Sequence, residues 1–368
     1  MKISVPTETA PREQRVALAP DSVARLIKQL KLDIVVQRGA GLRAGFRDDA
    51  YQSAGATMVA DAAAAFDSPV IAKVQPPGAD EVTRIPQGAT LISLMRPGQS
   101  ADIVSALSQR QVTSLALELV PRITRAQSMD VLSSQSTVAG YKGVLIGASA
   151  LGKFLPMLTT AAGNISPAKV FVIGAGVAGL QAIATARRLG GVVSGFDVRP
   201  AAREQVLSLG ATFVQSDVVS ESTQTAGGYA REQTEEERAK TLEAMANHIK
   251  DQDLVITTAQ IPGKAAPKLI TDEMVATMRA GSVIVDLAAE TGGNCSLTKP
   301  GETITSHDVT IIAPLNVPST VAFHASQMFG RNIFELMKHL VKDGALVLDP
   351  SDEITGAMLV THDGKALR

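Results

Sequence analysis

A single cysteine, Cys295, rules out an intramolecular disulfide. The five histidines, His248, His307, His324, His339 and His362, are scattered through the last third of the chain without metal-ligand spacing, so no metal centre is expected and they read as packing or surface residues. Neither sign of charge is in excess: 35 Lys and Arg stand against 36 Asp and Glu, a net charge of -1. Such a chain has no field to recruit nucleic acid or an acidic membrane. Long apolar runs are missing too. The most apolar stretch, Phe171 to Ala186, is glycine-rich and contains Gln181, and it falls short of the ~20 residues that span a bilayer. The opening MKISVPTETAPREQRVAL meets Pro6, Glu8, Arg12, Glu13 and Arg15 before any apolar stretch of signal length, so no export signal and no direct membrane insertion are expected. What remains is a chain of 368 residues, 45% hydrophobic and 19% charged, long enough for two cores and suited to a reducing cytoplasm.

Short β-branched runs at Ile3–Val5, Asp33–Val36, Val70–Val74, Thr90–Leu94 and Val112–Leu117 alternate with helical patterns such as Asp21–Leu30 and Ala101–Gln109. That alternation predicts a parallel sheet covered by helices. An Ala/Gly-rich helical pattern over Ser134–Phe154 leads through the loop AAGNISPAK into a second set of strands, Lys169–Ile173, Val192–Phe196, Thr212–Val214, Leu254–Thr257, Ser282–Asp286 and Thr310–Ile312. The run Ser319–Val341, with Phe329, Ile333, Leu336, Met337 and Leu340 at helical spacing, reads as a linker helix returning to the first unit. Ala345–Leu348 and Ala357–Thr361, with a turn at Asp363 and Gly364, read as a terminal hairpin.

The strongest motif is KVFVIGAGVAGLQAIATARRLG, in which Gly174, Gly176 and Gly179 end a β-branched run and open a helix. The first glycine permits a tight turn, the second lets the backbone approach a pyrophosphate, and the third lets helix pack close to strand. Ala175, Val177 and Ala178 complete the turn, whose helix amides face phosphates. Asp197 ends the next strand, 18 residues beyond Gly179, where a carboxylate can accept from ribose hydroxyls and repel a 2′-phosphate. The site is therefore expected to take NAD(H), with Val198 and Arg199 beside Asp197. Asp197 as a helix cap, with Arg199 or Arg203 receiving a phosphate, is the competing reading. Thr258, Ala259 and Gln260 beyond one strand and Leu287 beyond the next are further candidates, with Gly263 and Lys264 nearby, because ligands bind outside the carboxyl ends of parallel strands. The fold class expected is α/β: two Rossmann-like doubly wound parallel-sheet domains joined by long linker helices. Residues 1–132 with 320–368 form the outer one, and 133–319 the nucleotide-binding one.

The segment Gln215–Lys240 is too long for an ordinary connection, where ~4 to 6 residues is typical. Gly227 and Gly228 offer hinge freedom, and Tyr229 can close over a nucleotide; a disordered insertion is the alternative. The run PRITRAQSMDVLSSQS carries Arg122, Arg125, Gln127, Asp130, Ser133, Ser134 and Gln135 as it leaves a strand at the expected domain crossing, where a nicotinamide would arrive. The bland reading is that Ser133 or Ser134 caps the following helix and the arginines are solvated.

PRITRAQSMDVLSSQS, GAGVAGLQAIATARRLG, TAGGYARE, TTAQIPGKAAPKLI and VIVDLAAETGGNCSLT together closely resemble the NAD(H)-binding component of proton-translocating nicotinamide nucleotide transhydrogenase, from MKISVPTE to beyond NVPS. On that resemblance Arg122, Gln127 and Asp130 belong to the loop that positions the dihydronicotinamide and reaches toward NADP(H) on a partner component. Ser133 touches the nicotinamide region, and Tyr229 is the tyrosine of a mobile loop. The resemblance also implies a homodimer and direct hydride transfer, coupled to proton translocation by a transmembrane component. With the chain stopping at Arg368, the NADP(H)-binding and transmembrane parts are expected on separate polypeptides, holding this one peripherally at the inner membrane.

The rival is an enzyme of the alanine dehydrogenase type. Arg15 and Lys73 match positions that hold substrate in that family, but Arg96 stands where it has a catalytic histidine and Glu290 where it has an aspartate. An NAD-sensing module without chemistry is a third possibility. Cys295 in GGNC reads as a small packed residue.

Overall fold

Strands buried on both faces need apolar side chains at successive positions, and the strands of this chain have them. The computed structural model describes residues 1–215, 234–261 and 264–368. The chain divides into two units, Met1–Gln135 with Pro318–Arg368, and Ser136–Val317.

The first unit opens with β1 (Lys2–Val5), α1 (Pro20–Leu30), β2 (Asp33–Gln37), α2 (Asp48–Ser53), β3 (Thr57–Val59), α3 (Ala62–Phe66), β4 (Val70–Ala72), α4 (Ala79–Arg84), β5 (Thr90–Ser93), α5 (Ala101–Gln109) and β6 (Thr113–Ala116). These six strands are parallel in the order β3-β2-β1-β4-β5-β6, a doubly wound sheet whose order reverses beside β1. Every residue of β4, β5 and β6 is buried. A 3-10 turn at Thr124–Met129 then leads into α6 (Val131–Ala150), which starts in this unit and continues into the second.

In the second unit the loop expected to mark only a boundary forms a hairpin, β7 (Leu158–Thr160) with β8 (Gly163–Ile165). There follow β9 (Lys169–Ile173), α7 (Val177–Arg188), β10 (Val192–Phe196), α8 (Pro200–Ser208), β11 (Thr212–Phe213), α9 (Glu235–Ile249), β12 (Leu254–Thr257), α10 (Asp272–Ala276), β13 (Val283–Asp286), β14 (Thr303–Ser306) and β15 (Val309–Ile312). Sheet order is β11-β10-β9-β12-β13-β15-β14, all parallel except the edge strand β14. The same reversal recurs, now beside β9. The fold is α/β with two Rossmann-like parallel sheets, as the alternation implies.

The Ala/Gly content of α6 has a packing cause. A Cβ on Gly140 would lie 2.0 Å from the Ala178 carbonyl oxygen, one on Gly143 2.8 Å from Leu287, and one on Gly147 2.4 Å from Leu254. Spaced three and four apart, these glycines form one helix face and let α6 press against the start of α7 and the strands β12 and β13.

The chain returns to the first unit at Pro318. The run expected to be a linker helix is α11 (Ala322–Leu340), which lies wholly inside that unit, with Phe329, Ile333, Leu336, Met337 and Leu340 in its core. The tail differs from the single hairpin expected. Ala345–Leu346 (β17) pairs back on Val341–Lys342 (β16), because the turn at Asp343 and Gly344 adopts positive φ. After α12 (Glu353–Met358), β18 (Leu359–His362) and β19 (Lys365–Ala366) form the second hairpin, and β18 adds antiparallel to β6. Among the described residues no helix is long and apolar enough to cross a membrane, and no group of His, Cys, Asp and Glu could hold a metal ion.

Candidate functional site

The carboxyl ends of β9, β10, β12 and β13 converge where the second sheet reverses order, so the loops leaving them line one crevice. Gly174 makes the turn out of β9 with φ +93, and a Cβ there would meet Thr258 Oγ at 2.8 Å. A Cβ on Gly179 would fall 1.7 Å from the Gly174 carbonyl oxygen. Gly176 is different: nothing lies within 4 Å of where its Cβ would be. It is the N-cap of α7 and has no side chain to cap the first amides, which lack an intrahelical acceptor by construction. The first and third glycines thus serve packing, and the middle one leaves open the space a phosphate needs.

Asp197, 7% exposed, follows β10. Its Oδ1 accepts from the Arg199 amide and Nε at 2.9 Å each. Its Oδ2 accepts from the Ala175 amide at 2.7 Å and Arg199 Nη2 at 2.8 Å. A carboxylate offers about four acceptor positions, and here two hold backbone amides and two hold a guanidinium. The Arg199 side chain is the exchangeable half. Its hydrogen bonds to Asp197 raise its pKa further, against the opposing effect of burial.

The loops after β12 and β13 are tied to this turn. Thr258 donates its hydroxyl to the Gly174 carbonyl at 2.9 Å, and Gln260 Nε2 donates to the Leu287 carbonyl at 3.2 Å. Val177 is exposed, while Ala178, Val198 and Ala259 are half-buried. Two residues that sequence reasoning did not single out hold these loops. Asp286, fully buried, accepts from Thr257 Oγ, the amides of Ala288, Asn294 and Cys295, and Thr298 Oγ. Asn294 donates through Nδ2 to the Ala259 and Pro267 carbonyls and accepts the Ala259 amide at Oδ1. The lone cysteine lies against this knot, buried, with its thiol pushed up to about 11 by burial, which suits a packed residue. Lys264 is described and exposed. Gly263, Gly227, Gly228 and Tyr229 lie outside the described residues.

The remaining candidates belong to the first unit. The turn Thr124–Met129 buries Ala126 and Met129 and leaves Arg122 and Gln127 exposed. Asp130 caps α6: its Oδ1 accepts the Ser133 amide at 2.9 Å and its Oδ2 the Ser133 hydroxyl at 2.6 Å. The cap is therefore the aspartate, not Ser133 or Ser134. Arg125 pairs with Asp352 and Glu353 at the start of α12. Gln135 accepts from Arg15 Nη1 at 2.8 Å.

Arg15 and Lys73, the two cations shared with alanine dehydrogenases, are buried in the first unit and already paired. Arg15 forks onto Glu13 through Nε and Nη2, and Gln75 Nε2 donates to the same Glu13. Lys73 Nζ lies 3.3 Å from Glu8 and 3.1 Å from Glu81. Burial pushes the Glu8 carboxyl up, with Lys73 pulling against it. Arg96 is exposed, with its amide on Glu118, and Glu290 accepts the Asn316 amide.

Comparison with known proteins fits this arrangement. Residues 4–139 match the alanine dehydrogenase/PNT N-terminal domain and residues 143–368 the alanine dehydrogenase/PNT C-terminal domain. The chain is 48% identical over 373 residues to an NAD(P) transhydrogenase alpha subunit of Rhodospirillum rubrum, covering 99% of this chain and 97% of that one. A crystal structure of a transhydrogenase from Sinorhizobium meliloti superposes with a TM-score of 0.91 at 44% identity, covering all of both chains. An L-alanine dehydrogenase structure superposes with a TM-score of 0.84 at 26% identity, over all of this chain and 97% of that one. The chain belongs to the alanine dehydrogenase/PNT family, on the side of its NAD(P) transhydrogenase alpha subunits.

Proposed function

We propose that the chain binds NAD(H) and exchanges hydride directly with NADP(H) held on a partner component. The observation that carries this reading is the crevice at the end of β9: an open Gly176, uncapped α7 amides and the Asp197 carboxylate stand together in a chain whose relatives are transhydrogenase alpha subunits. The α7 amides receive the pyrophosphate, with Gly174, Ala175, Gly176, Val177, Ala178 and Gly179 forming the cradle. Asp197 accepts the adenosine ribose hydroxyls once the Arg199 guanidinium releases it, with Val198 at its side. Thr258, Ala259, Gln260 and Leu287 line the path toward the nicotinamide, and Tyr229 closes over the nucleotide.

NADH supplies the hydride from its dihydronicotinamide ring, and passage between two such rings breaks no O–H or N–H bond. The protein therefore needs to position and exclude water, with no general base. Arg122 holds the carboxamide or a phosphate oxygen, and Gln127 bridges to the incoming second nucleotide. Asp130 and Ser133, bonded to each other, orient the nicotinamide amide and fix the start of α6. The exposure of Arg122 and Gln127 supports this assignment.

The chain acts as a homodimer, with NADP(H)-binding and proton-translocating transmembrane components on other polypeptides, and works in the cytoplasm at the membrane through them. Exposed apolar side chains Phe154, Met157, Ile165 and Val192, around the β7–β8 hairpin and the start of β10, support a subunit contact there. Oxidation of an amino acid by the alanine dehydrogenase route is disfavoured, because Arg96 stands where a proton acceptor is required. Titration of the protein's fluorescence or of NADH emission should give NADH at least tenfold tighter than NADPH, roughly the cost of one unpaired charged contact. Replacement of Asp197 by asparagine should shrink that ratio. Tighter NADPH binding by the unaltered protein would overturn the assignment of Asp197.

A further inference from the structure

The apolar stripe of α11 carries one residue out of character. Asn332 is 8% exposed and flanked in the core by Phe329, Ile333, Leu336 and Met337. A buried amide costs free energy unless both of its halves are bonded. Both halves are used: Nδ2 donates to the Ser128 carbonyl at 2.8 Å, and Oδ1 accepts the Ser134 hydroxyl at 2.7 Å. These anchors bracket Asp130 and Ser133, and Ser128 adjoins Gln127.

The bonding continues on the α6 side. The Ser134 hydroxyl accepts from Gln135 Nε2 at 3.2 Å, and Gln135 Nε2 also donates to the Ala325 carbonyl of α11. Gln135 Oε1 in turn takes Arg15. A leucine at 332 would satisfy the stripe and leave the Ser128 carbonyl and the Ser134 hydroxyl without this partner. The amide's polar cost is offset only by what it holds in place.

We propose that Asn332 is a positioning residue for hydride transfer: it clamps the Ser128–Ser134 segment from behind and so sets where Gln127, Asp130 and Ser133 stand. This rests on the function proposed above for those three residues. Asn332 touches no nucleotide in this scheme, so its loss acts on geometry at the reacting rings and not on affinity.

The test compares the full chain with Asn332→Leu, Asn332→Asp and Ser134→Ala. NADH dissociation constants and single-turnover hydride transfer to NADP+ on the partner component are measured at saturating nucleotide. Amide hydrogen exchange is followed over residues 127–134. Asn332→Leu should slow transfer by about tenfold or more while NADH affinity stays within about twofold, since small misplacements of reacting groups cost rate steeply. Asn332→Asp keeps the acceptor for Ser134 and loses the donor to Ser128, so it and Ser134→Ala should fall between. Exchange should quicken in the 127–134 segment alone. Transfer at the unaltered rate in Asn332→Leu, or rate and affinity falling in equal proportion, overturns the proposal. Should Asn332→Leu fail to fold, an unaltered rate in Ser134→Ala overturns it instead. If the unaltered chain transfers no hydride, the function fails rather than the clamp. Local exchange in Asn332→Asp and Ser134→Ala then decides whether the clamp exists: selective quickening over 127–134 supports it, and unchanged exchange removes it.

Discussion

Gly179→Ala weakens NADH binding by roughly 10- to 100-fold, the effect of overpacking by about 1 to 3 kcal/mol on an affinity that changes tenfold per 1.4 kcal/mol. The added methyl would sit 1.7 Å from the Gly174 carbonyl oxygen, a backbone atom that has nowhere to rotate. Gly174 is itself fixed, by its positive φ and by Thr258 donating to its carbonyl. The start of α7 must therefore lift from the turn, and the amides that receive the pyrophosphate move with it. Gly176→Ala provides the contrast. Its Cβ meets nothing within 4 Å and its φ of -74 suits any residue, so its thermal stability should match the parent while NADH affinity still falls. Isothermal titration with NADH, alongside thermal melts of both variants, separates the two causes. Full affinity in Gly179→Ala, or a destabilised Gly176→Ala, contradicts the division of labour among the glycines.

Lys73→Met should destabilise the first unit by about 3 to 5 kcal/mol, the usual consequence of removing one partner from a buried ion pair. Lys73 is 1% exposed and serves both Glu8 and Glu81. Without it two buried carboxylates face each other, and Glu8, already pushed up by burial, must take a proton to stay folded. The destabilisation should therefore be smaller at pH 5 than at pH 8. Hydrogen exchange of the β1 and β4 amides reads the loss directly, which matters in a chain of two units whose unfolding need not be a single transition. A second change, Glu8→Gln, should restore part of the stability. A loss under about 1 kcal/mol would show that the ion network is dispensable, contrary to the cost of stranding buried charge.

Much of the fold was legible because its strands are continuous buried runs. β9, β10 and β12 lie where the β-branched runs place them, since burial on both faces forces the pattern into the sequence. Edge elements were not legible for the converse reason. β3 and the β7–β8 hairpin are short, partly or wholly exposed, and set by turns. α11 shows the limit of periodicity: its stripe declares a buried helix and is silent on which unit buries it.

At the site, the glycine spacing and Asp197 are local signals and could be read. The contacts that hold them are not local. Asp286 gathers donors from Thr257 and from residues 288 to 298, and Asn332 reaches Ser128 across 204 positions of sequence. Only the closed fold brings such partners together, so a single asparagine in a helix pattern gives no hint of them. The Arg199 fork onto Asp197 belongs between these cases, two residues apart yet dependent on the turn after β10.

The central claim is direct transfer from a nucleotide on this chain to one on a partner, and a label follows it best. The chain carrying NADH deuterated at the transferring position is mixed rapidly with an isolated NADP+-loaded component. Deuterium should appear in NADPH within the first turnover and none in solvent, with Gln127→Asn slowing the step while leaving NADH affinity nearly intact. Tight NADH binding with no label reaching NADP+, or NADH formed from NAD+ and alanine by the chain alone, would contradict it.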